Sequence, residues 1–280
     1  MNPPQTLLGK RALVTGSGTG IGRGIALEFA RRGADVVLHY AHSDGGARTA
    51  VKEIRAMGRR SEAFAADFDR VEEAVALGER AIAFLGGIDC LVNNSGITFN
   101  KPFREVTPEQ FDRLYHVNVR APYFLTQRIA RDMLLHGGGA VCNITSIHGV
   151  AGAPEHSVYA GTKGAIISQT RTLAVELAHQ GIRVNAIAPG WVAVENHAKV
   201  IPGYTDEEAR KAAAEKVPLG RHGNPIDIAK LAIFLCSEES DFIIGQTIVS
   251  DGGTTSLMSL LSDFRTRSTA EFGKGYVPGV

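Results

Sequence analysis

The alternation of short apolar runs with longer helical patterns constrains this chain more than any other feature. The runs at 11–15, 35–40, 61–66, 89–93, 140–145, 183–188 and 247–250 are rich in Val, Ile and Ala. They lack the in–out alternation of half-exposed strands, as expected of strands buried on both faces. The segments 21–32, 46–57, 71–84, 123–135 and 157–179 read as helices between them. Strand–helix alternation predicts an α/β fold: a doubly wound parallel sheet of about seven strands with helices on both faces. Gly33, Gly58 and Gly181 stand where a helix must stop and turn into the next strand. No Pro/Ser-rich linker, low-complexity tract or internal repeat divides the 280 residues, so one domain is expected, over 1–253.

Charge narrows the partners. Lys and Arg number 30 against 29 Asp and Glu, a net charge of +1, which gives no electrostatic reason to expect nucleic acid, an acidic protein or an anionic membrane. A small-molecule partner is expected instead. Cys90, Cys142 and Cys236 lie in different segments without zinc-ligand spacing. They read as reduced core residues, which suits the cytoplasm, and no metal site is expected. Residues 1–9 lack the layout of a signal peptide and no apolar run approaches ~18 residues, so neither export by that route nor a membrane span is expected.

The first strand runs into Thr15, Gly16, Ser17, Gly18, Thr19, Gly20, Ile21 and Gly22, and a helix follows. A glycine-rich turn at that junction lets the backbone approach a pyrophosphate, whose charge sits at the positive end of the helix. The spacing is TGxxxGxG rather than GxGxxG. Asn93, Asn94, Ser95 and Gly96 end the fourth strand close to an NNAG pattern. Tyr159 and Lys163 match YxxxK, and Pro189 and Gly190 follow the sixth strand. With these four motifs in order, the chain up to Gly253 resembles the short-chain dehydrogenase/reductase family. The resemblance implies a single-domain Rossmann-type fold and an NAD(P)-dependent oxidoreductase acting on a carbonyl or secondary alcohol. It further implies cofactor contacts from Gly16 through Gly22, from Asn94 and Gly96, and from Pro189, Gly190 and Val192.

Tyr159 and Lys163, four apart on one helical pattern, share a face. A tyrosine titrates near ~10, and an ammonium one turn away favours the phenolate. Ser146 ends the fifth strand thirteen residues earlier, at the sheet edge where such folds bind ligands. Serine could polarise a carbonyl oxygen while tyrosine gives or takes the proton. The resemblance implies this pairing, assigns Lys163 to the nicotinamide ribose as well, and makes Asn118 the support of a proton relay.

Tyr40, Ser43, Asp67 and Phe68 are the expected adenosine contacts. Tyr40 ends the second strand where an NAD-preferring relative carries Asp. No carboxylate is read there, Ser43 could bind a 2′-phosphate, and Arg48 or His42 could add charge, so NADP is preferred over NAD. Thr19 departs from the arginine of many NADP-using relatives. Substrate contacts are expected from Ser146, His148, Glu155, Tyr159, Trp191, Asn196 and His197, on the loop after the fifth strand and the segment 191–217. That many polar groups suits a sugar, sugar acid or polyol. A 3-oxoacyl-carrier-protein reductase is the alternative, opposed by the missing basic residues at 134–138 and by Val175. A catalytically silent nucleotide-binding regulator is a third reading. Val194 replaces the family's Thr in the segment after Pro189. The chain continues 27 residues past Gly253, with apolar residues at helical spacing over 257–264. The resemblance implies a homotetramer, and the expectation is that 257–264 packs on a neighbouring subunit while 272–280 reaches a substrate pocket.

Overall fold

A computed structural model describes residues 4–195, 197–257 and 265. The strands are β1 (Arg11–Val14), β2 (Asp35–Tyr40), β3 (Ser61–Ala65), β4 (Cys90–Asn93), β5 (Gly139–Ile144), β6 (Ile182–Pro189) and β7 (Thr247–Ser250). They form one sheet in the order β3-β2-β1-β4-β5-β6-β7, every neighbouring pair parallel. The helices are α1 (Gly20–Arg31), α2 (Asp44–Ala56), α3 (Val71–Leu85), α4 (Pro108–Tyr115), α5 (Ala121–Leu135), α6 (Ser157–Ala178), α7 (His197–Val200), α8 (Asp206–Lys216) and α9 (Pro225–Cys236). None among the described residues is long and apolar enough to cross a membrane.

The unalternating strand sequences follow from two cores, one on each face. In β1, Ala12 and Val14 face one core and Leu13 the other; Val36 and Leu38 divide from Val37 in β2 in the same way, and Cys90 and Val92 from Leu91 in β4. The first core is closed by α1, α2 and α9, the second by α3, α5 and α6. A strand covered on both sides needs apolar residues at every position, which is the pattern the sequence carries.

The three cysteines come together in the first core. β4 and β5 are neighbours in a register that pairs Cys142 with Val92, so Cys90 and Cys142 lie two residues apart along the same sheet face, and the Cys90 thiol lies 3.7 Å from the carbonyl oxygen of Cys236 at the end of α9. All three are free and buried. The sequence reading of reduced core residues holds. Their separate segments gave no sign that they would meet.

Chain order reverses between β1 and β4: β2 and β3 lie on one side, β5 to β7 on the other. A crevice opens where neighbouring crossovers diverge, beyond the carboxyl ends of the strands. The loops leaving β1, β2, β3, β4 and β5 all end there.

Candidate active site

The turn after β1 is built by backbone and small side chains. Gly16 adopts φ +61°, a conformation open to glycine at no steric cost. Thr15 Oγ1 accepts the backbone N–H groups of Asn94 and Ser95 at 2.9 and 3.0 Å, and the Asn94 amide donates to Thr15 O and Gly16 O at 2.9 and 3.1 Å. These bonds join the β1 and β4 exits. A Cβ on Gly18 would stand 2.0 Å from Ser43 Oγ, and one on Gly46 2.0 Å from Gly18 O. The β1 and β2 exits are therefore packed to bare backbone.

A cleft of about 710 Å³ opens above them, lined by Gly16, Gly18, Thr19, Tyr40, Ser43, Asp67, Phe68, Asn94 and Gly96 among others. Its size falls within the roughly 300–1,000 Å³ of small-molecule and cofactor sites. Bare glycine backbone, a helix start and this volume together fit a dinucleotide.

Ser17 departs from its expected place at the cleft. It is fully buried; its hydroxyl donates to Val14 O at 2.7 Å and its N–H to His39 O at 2.8 Å, so both donors serve the turn. The adenosine end also needs a correction, because a carboxylate does stand there. Asp44, the first residue of α2, lines the cleft beside Tyr40 and takes Arg48 Nε on both oxygens at 2.8 Å. The nearby Asp44 carboxylate raises the Tyr40 pKa above its ordinary value. The arginine charge is thus shared with an acid four residues away, a helical pairing that the expected list of adenosine contacts passed over.

The catalytic group assembles at the ends of β5 and α6. The Ser146 and Tyr159 hydroxyls face each other closely enough for the serine to lower the Tyr159 pKa. Lys163 is buried; its Nζ donates to Ile144 O at 3.0 Å and lies 5.5 Å from the Tyr159 ring centroid. Burial pulls its pKa down to about 8. Burial also raises Tyr159, opposed by Ser146. The expected lowering of Tyr159 by Lys163 is therefore not what sets it in the free protein, because the ammonium turns toward the β5 carbonyl. Asn118 sits fully buried in a π-turn, His116–Arg120, between α4 and α5. Its amide donates to Ile97 O at 2.9 Å and Thr162 Oγ1 at 3.1 Å, and its oxygen accepts Ile97 N–H at 2.8 Å. It thus links the β4 exit to the catalytic helix rather than bonding its own turn, and π-turns of this kind cluster at functional sites. Gly161 leaves room for the Tyr115 hydroxyl, which would meet a Cβ at 2.8 Å.

Imidazoles surround Tyr159. His148 lies 5.7 Å and His156 6.3 Å from its ring, and 4.5 Å from each other. His148 Nδ1 is buried without a hydrogen-bond partner. Burial, then the neighbouring His156, lowers its pKa. Glu155 adopts φ +65° and contributes its carbonyl, which accepts Lys101 N–H at 3.0 Å. A second set of rings lies on the segment 191–217 and after it: Trp191 is 6.0 Å from His222, and His197 is 5.6 Å from Tyr204. Asn196 lies outside the described residues.

Glu195, on the same segment, reaches back to the glycine turn. Its carboxylate accepts Thr19 Oγ1 and Gly20 N–H, both at 3.0 Å. Burial opposes ionisation there, but hydrogen bonds from backbone N–H groups and Thr19 hold the carboxyl below its usual range. An anion at the start of α1 is the arrangement a helix N-terminus favours. The sequence places Glu195 only among the polar groups of the substrate segment, with no role at the glycine turn, and does not point to His39, whose ring lies under the cleft.

Beyond Gly253, Arg265 donates to Glu215 O at 3.0 Å and Val217 O at 3.2 Å, at the carboxyl end of α8, where a cation complements the helix dipole. The residues 258–264 and 272–280 lie outside the described residues.

Comparison with known proteins places this geometry. A family model described as Enoyl-(Acyl carrier protein) reductase matches residues 16–255. The chain is 40% identical to hydroxynaphthalene reductase-like protein Arp2 of Metarhizium robertsii over 90% of its length and 97% of the relative's. It is 40% identical to short chain dehydrogenase/reductase AacuN of Aspergillus aculeatus, covering 89% and 97%. Among solved structures, 7α-hydroxysteroid dehydrogenase complexed with NADH and 7-oxo glycochenodeoxycholic acid superposes with a TM-score of 0.83 at 36% identity, covering 89% of this chain and 95% of that one.

Proposed function

The chain belongs to the short-chain dehydrogenase/reductase family, and from that premise we propose that it is an NADP-preferring enzyme acting on a polyhydroxylated small molecule. That it is a nicotinamide-dependent oxidoreductase acting on CH–OH groups follows from the family. The observation that carries the reading is the meeting of Ser146, Tyr159 and the buried Lys163, whose Nζ lies 5.5 Å from the Tyr159 ring. Ser146 polarises the substrate oxygen and Tyr159 gives or takes its proton. Lys163 has three donors, of which Ile144 O takes one, leaving others for the ribose hydroxyls and the tyrosine oxygen. Asn118 fixes the β4 exit against α6. When bound, the nicotinamide supplies or accepts the hydride. Gly16, Gly18, Thr19 and the start of α1 hold the pyrophosphate; Ser43, Tyr40, Asp67 and Phe68 take the adenosine.

Tyr40→Asp tests the cofactor preference. A second carboxylate beside Asp44 repels a 2′-phosphate, so the ratio of kcat/KM for NADPH over NADH is expected to fall at least about tenfold, or about 1.4 kcal/mol. An unchanged ratio would place Tyr40 away from the adenosine ribose.

A sugar, sugar acid or polyol is the leading substrate class. His148, with a buried bare nitrogen beside Tyr159, is suited to a substrate hydroxyl. Trp191 and His197 are further candidates on the loop. A hydroxylated polycyclic ketone is the second reading, favoured by the ring-rich loop and by what the relatives' names say they reduce or bind. A 3-oxoacyl carrier substrate is disfavoured, since α6 exposes Val175 where a basic contact for an acidic carrier is wanted. A panel of sugars, sugar acids, polyols, hydroxylated tetralones and a short 3-oxoacyl thioester, followed by NADPH absorbance, is expected to give kcat/KM for a hydroxylated compound at least about tenfold above the thioester. A win for the thioester overturns the reading. A homotetramer in the cytoplasm completes the proposal: Phe242 and the edge-strand residue Val249 are 98% and 40% exposed, apolar surface of the kind a subunit contact covers, and three free thiols suit a reducing compartment.

A further inference from the structure

His39 is a buried histidine that no catalytic step uses, yet its ring is fully engaged. It is the penultimate residue of β2, with 2% of its surface exposed. Nε2 lies 3.0 Å from Ala66 O. A carbonyl oxygen only accepts, so Nε2 carries the hydrogen and Nδ1 is bare. Nδ1 then accepts the Gly16 N–H at 3.1 Å and the Ser95 hydroxyl at 3.1 Å. The ring also stacks on Phe68 with centroids 4.3 Å apart and planes 8° from parallel. Burial drops its pKa to about 4, which keeps the imidazole neutral and Nδ1 available as an acceptor.

These contacts add to the bonds between the β1 and β4 exits and bring the β3 exit into the same set. Gly16 opens the phosphate turn after β1. Ala66 leads to Asp67 and Phe68 after β3. Ser95 lies between Asn94 and Gly96 after β4. All three loops line the cleft, at places a dinucleotide would span. Gly16 has no side chain to set its peptide plane, and the imidazole holds its N–H instead.

We propose that His39 is a positioning residue for the dinucleotide: its bare Nδ1 sets the Gly16 turn and the Ser95 loop, while its Nε2–H and its stack on Phe68 set the Asp67 loop at the matching distance. The proposal rests on the reading of this cleft as the NADP(H) site.

Two substitutions separate the halves of the ring. The Asn side-chain oxygen can take the place of Nδ1 and accept from Gly16 and Ser95. Gln reaches further, and its amide can take the place of Nε2 and donate to Ala66. Both lose the stack; Asn loses one of the ring's three hydrogen bonds and Gln loses two, so a merely structural role would move NADPH affinity in each only in step with melting temperature. The readouts are NADPH dissociation constant by fluorescence, kcat at saturating NADPH, and melting temperature. His39→Gln is expected to weaken NADPH at least about tenfold, or about 1.4 kcal/mol, with kcat at saturation within about threefold. His39→Asn is expected to stay within about threefold of wild type in both. Equal weakening in the two variants, tracking melting temperature, overturns the proposal, and so does unchanged affinity in Gln. Should Gln fail to fold, the Asn variant decides by itself: a tenfold loss in a folded protein counts against the acceptor role, and retention supports it. If the wild-type protein binds neither NADPH nor NADH, the cofactor reading has failed rather than the role of His39.

Discussion

Tyr159→Phe is expected to lower kcat at least about 100-fold, the scale of a lost general acid–base group, while the NADPH dissociation constant stays within about twofold. The substitution removes one oxygen and keeps the ring. His148 and His156 still have the ring at 5.7 and 6.3 Å to pack against, and Lys163 keeps its bond to Ile144 O. What disappears is the titratable oxygen that faces Ser146. A loss shared equally by kcat and kcat/KM would mark an interaction made in the transition state. Stopped assays with NADPH and the best compound from the panel read both quantities, and a variant that kept more than a tenth of wild-type turnover would remove Tyr159 from the proton-transfer role.

Gly22→Ala is expected to be the most damaging conservative change in the turn. By helix propensity alone it should gain up to about 1 kcal/mol. The fold forbids the gain: the new Cβ would stand 2.3 Å from Gly16 O and 2.4 Å from the Asn94 amide nitrogen. Neither can step aside, since Gly16 is pinned by His39 and the Asn94 amide spans Thr15 O and Gly16 O. Overpacking of this kind costs about 1–3 kcal/mol, which for a chain of this size lowers the melting temperature by several degrees, at about 2–4 °C per kcal/mol. NADPH affinity should fall by at least about tenfold with it, because the opened turn no longer aims its N–H groups. Calorimetry and fluorescence titration on the same sample decide the matter. Wild-type values in both would mean that the turn has slack the contacts deny.

Features carried by neighbours in sequence were legible before any coordinates. Seven strands, the glycine turn and the Tyr159–Lys163 pair rest on local spacing, and each appears on its expected element. Ser146 was within reach because one loop separates it from Tyr159. Long-range features were not legible. His39 reads as an ordinary apolar-strand residue, and only the packing of β1, β3 and β4 exits around it reveals three acceptor and donor contacts. Asp44 is not legible from the last residue of the strand, because it is the helix that follows which brings its carboxylate back beside Tyr40. Glu195 acts across 175 residues of chain. Ser17 reads as a cofactor contact by its place in the motif, although a small hydroxyl in a tight turn satisfies the backbone first.

The three cysteines gathered where the end of α9 packs on the sheet make the protein a reporter of its own opening. They are all the thiols the chain possesses, and none is on the surface. A thiol reagent added to the native protein has nothing to modify until α9 lifts from β4 and β5, so its rate of reaction measures the population of opened molecules rather than the reactivity of any sulfur. A dinucleotide that binds only the closed form suppresses that population by the factor 1 + [L]/Kd. Alkylation rates taken at a series of nucleotide concentrations therefore yield the affinities of NADPH and NADH separately, with no substrate in the tube and no turnover required.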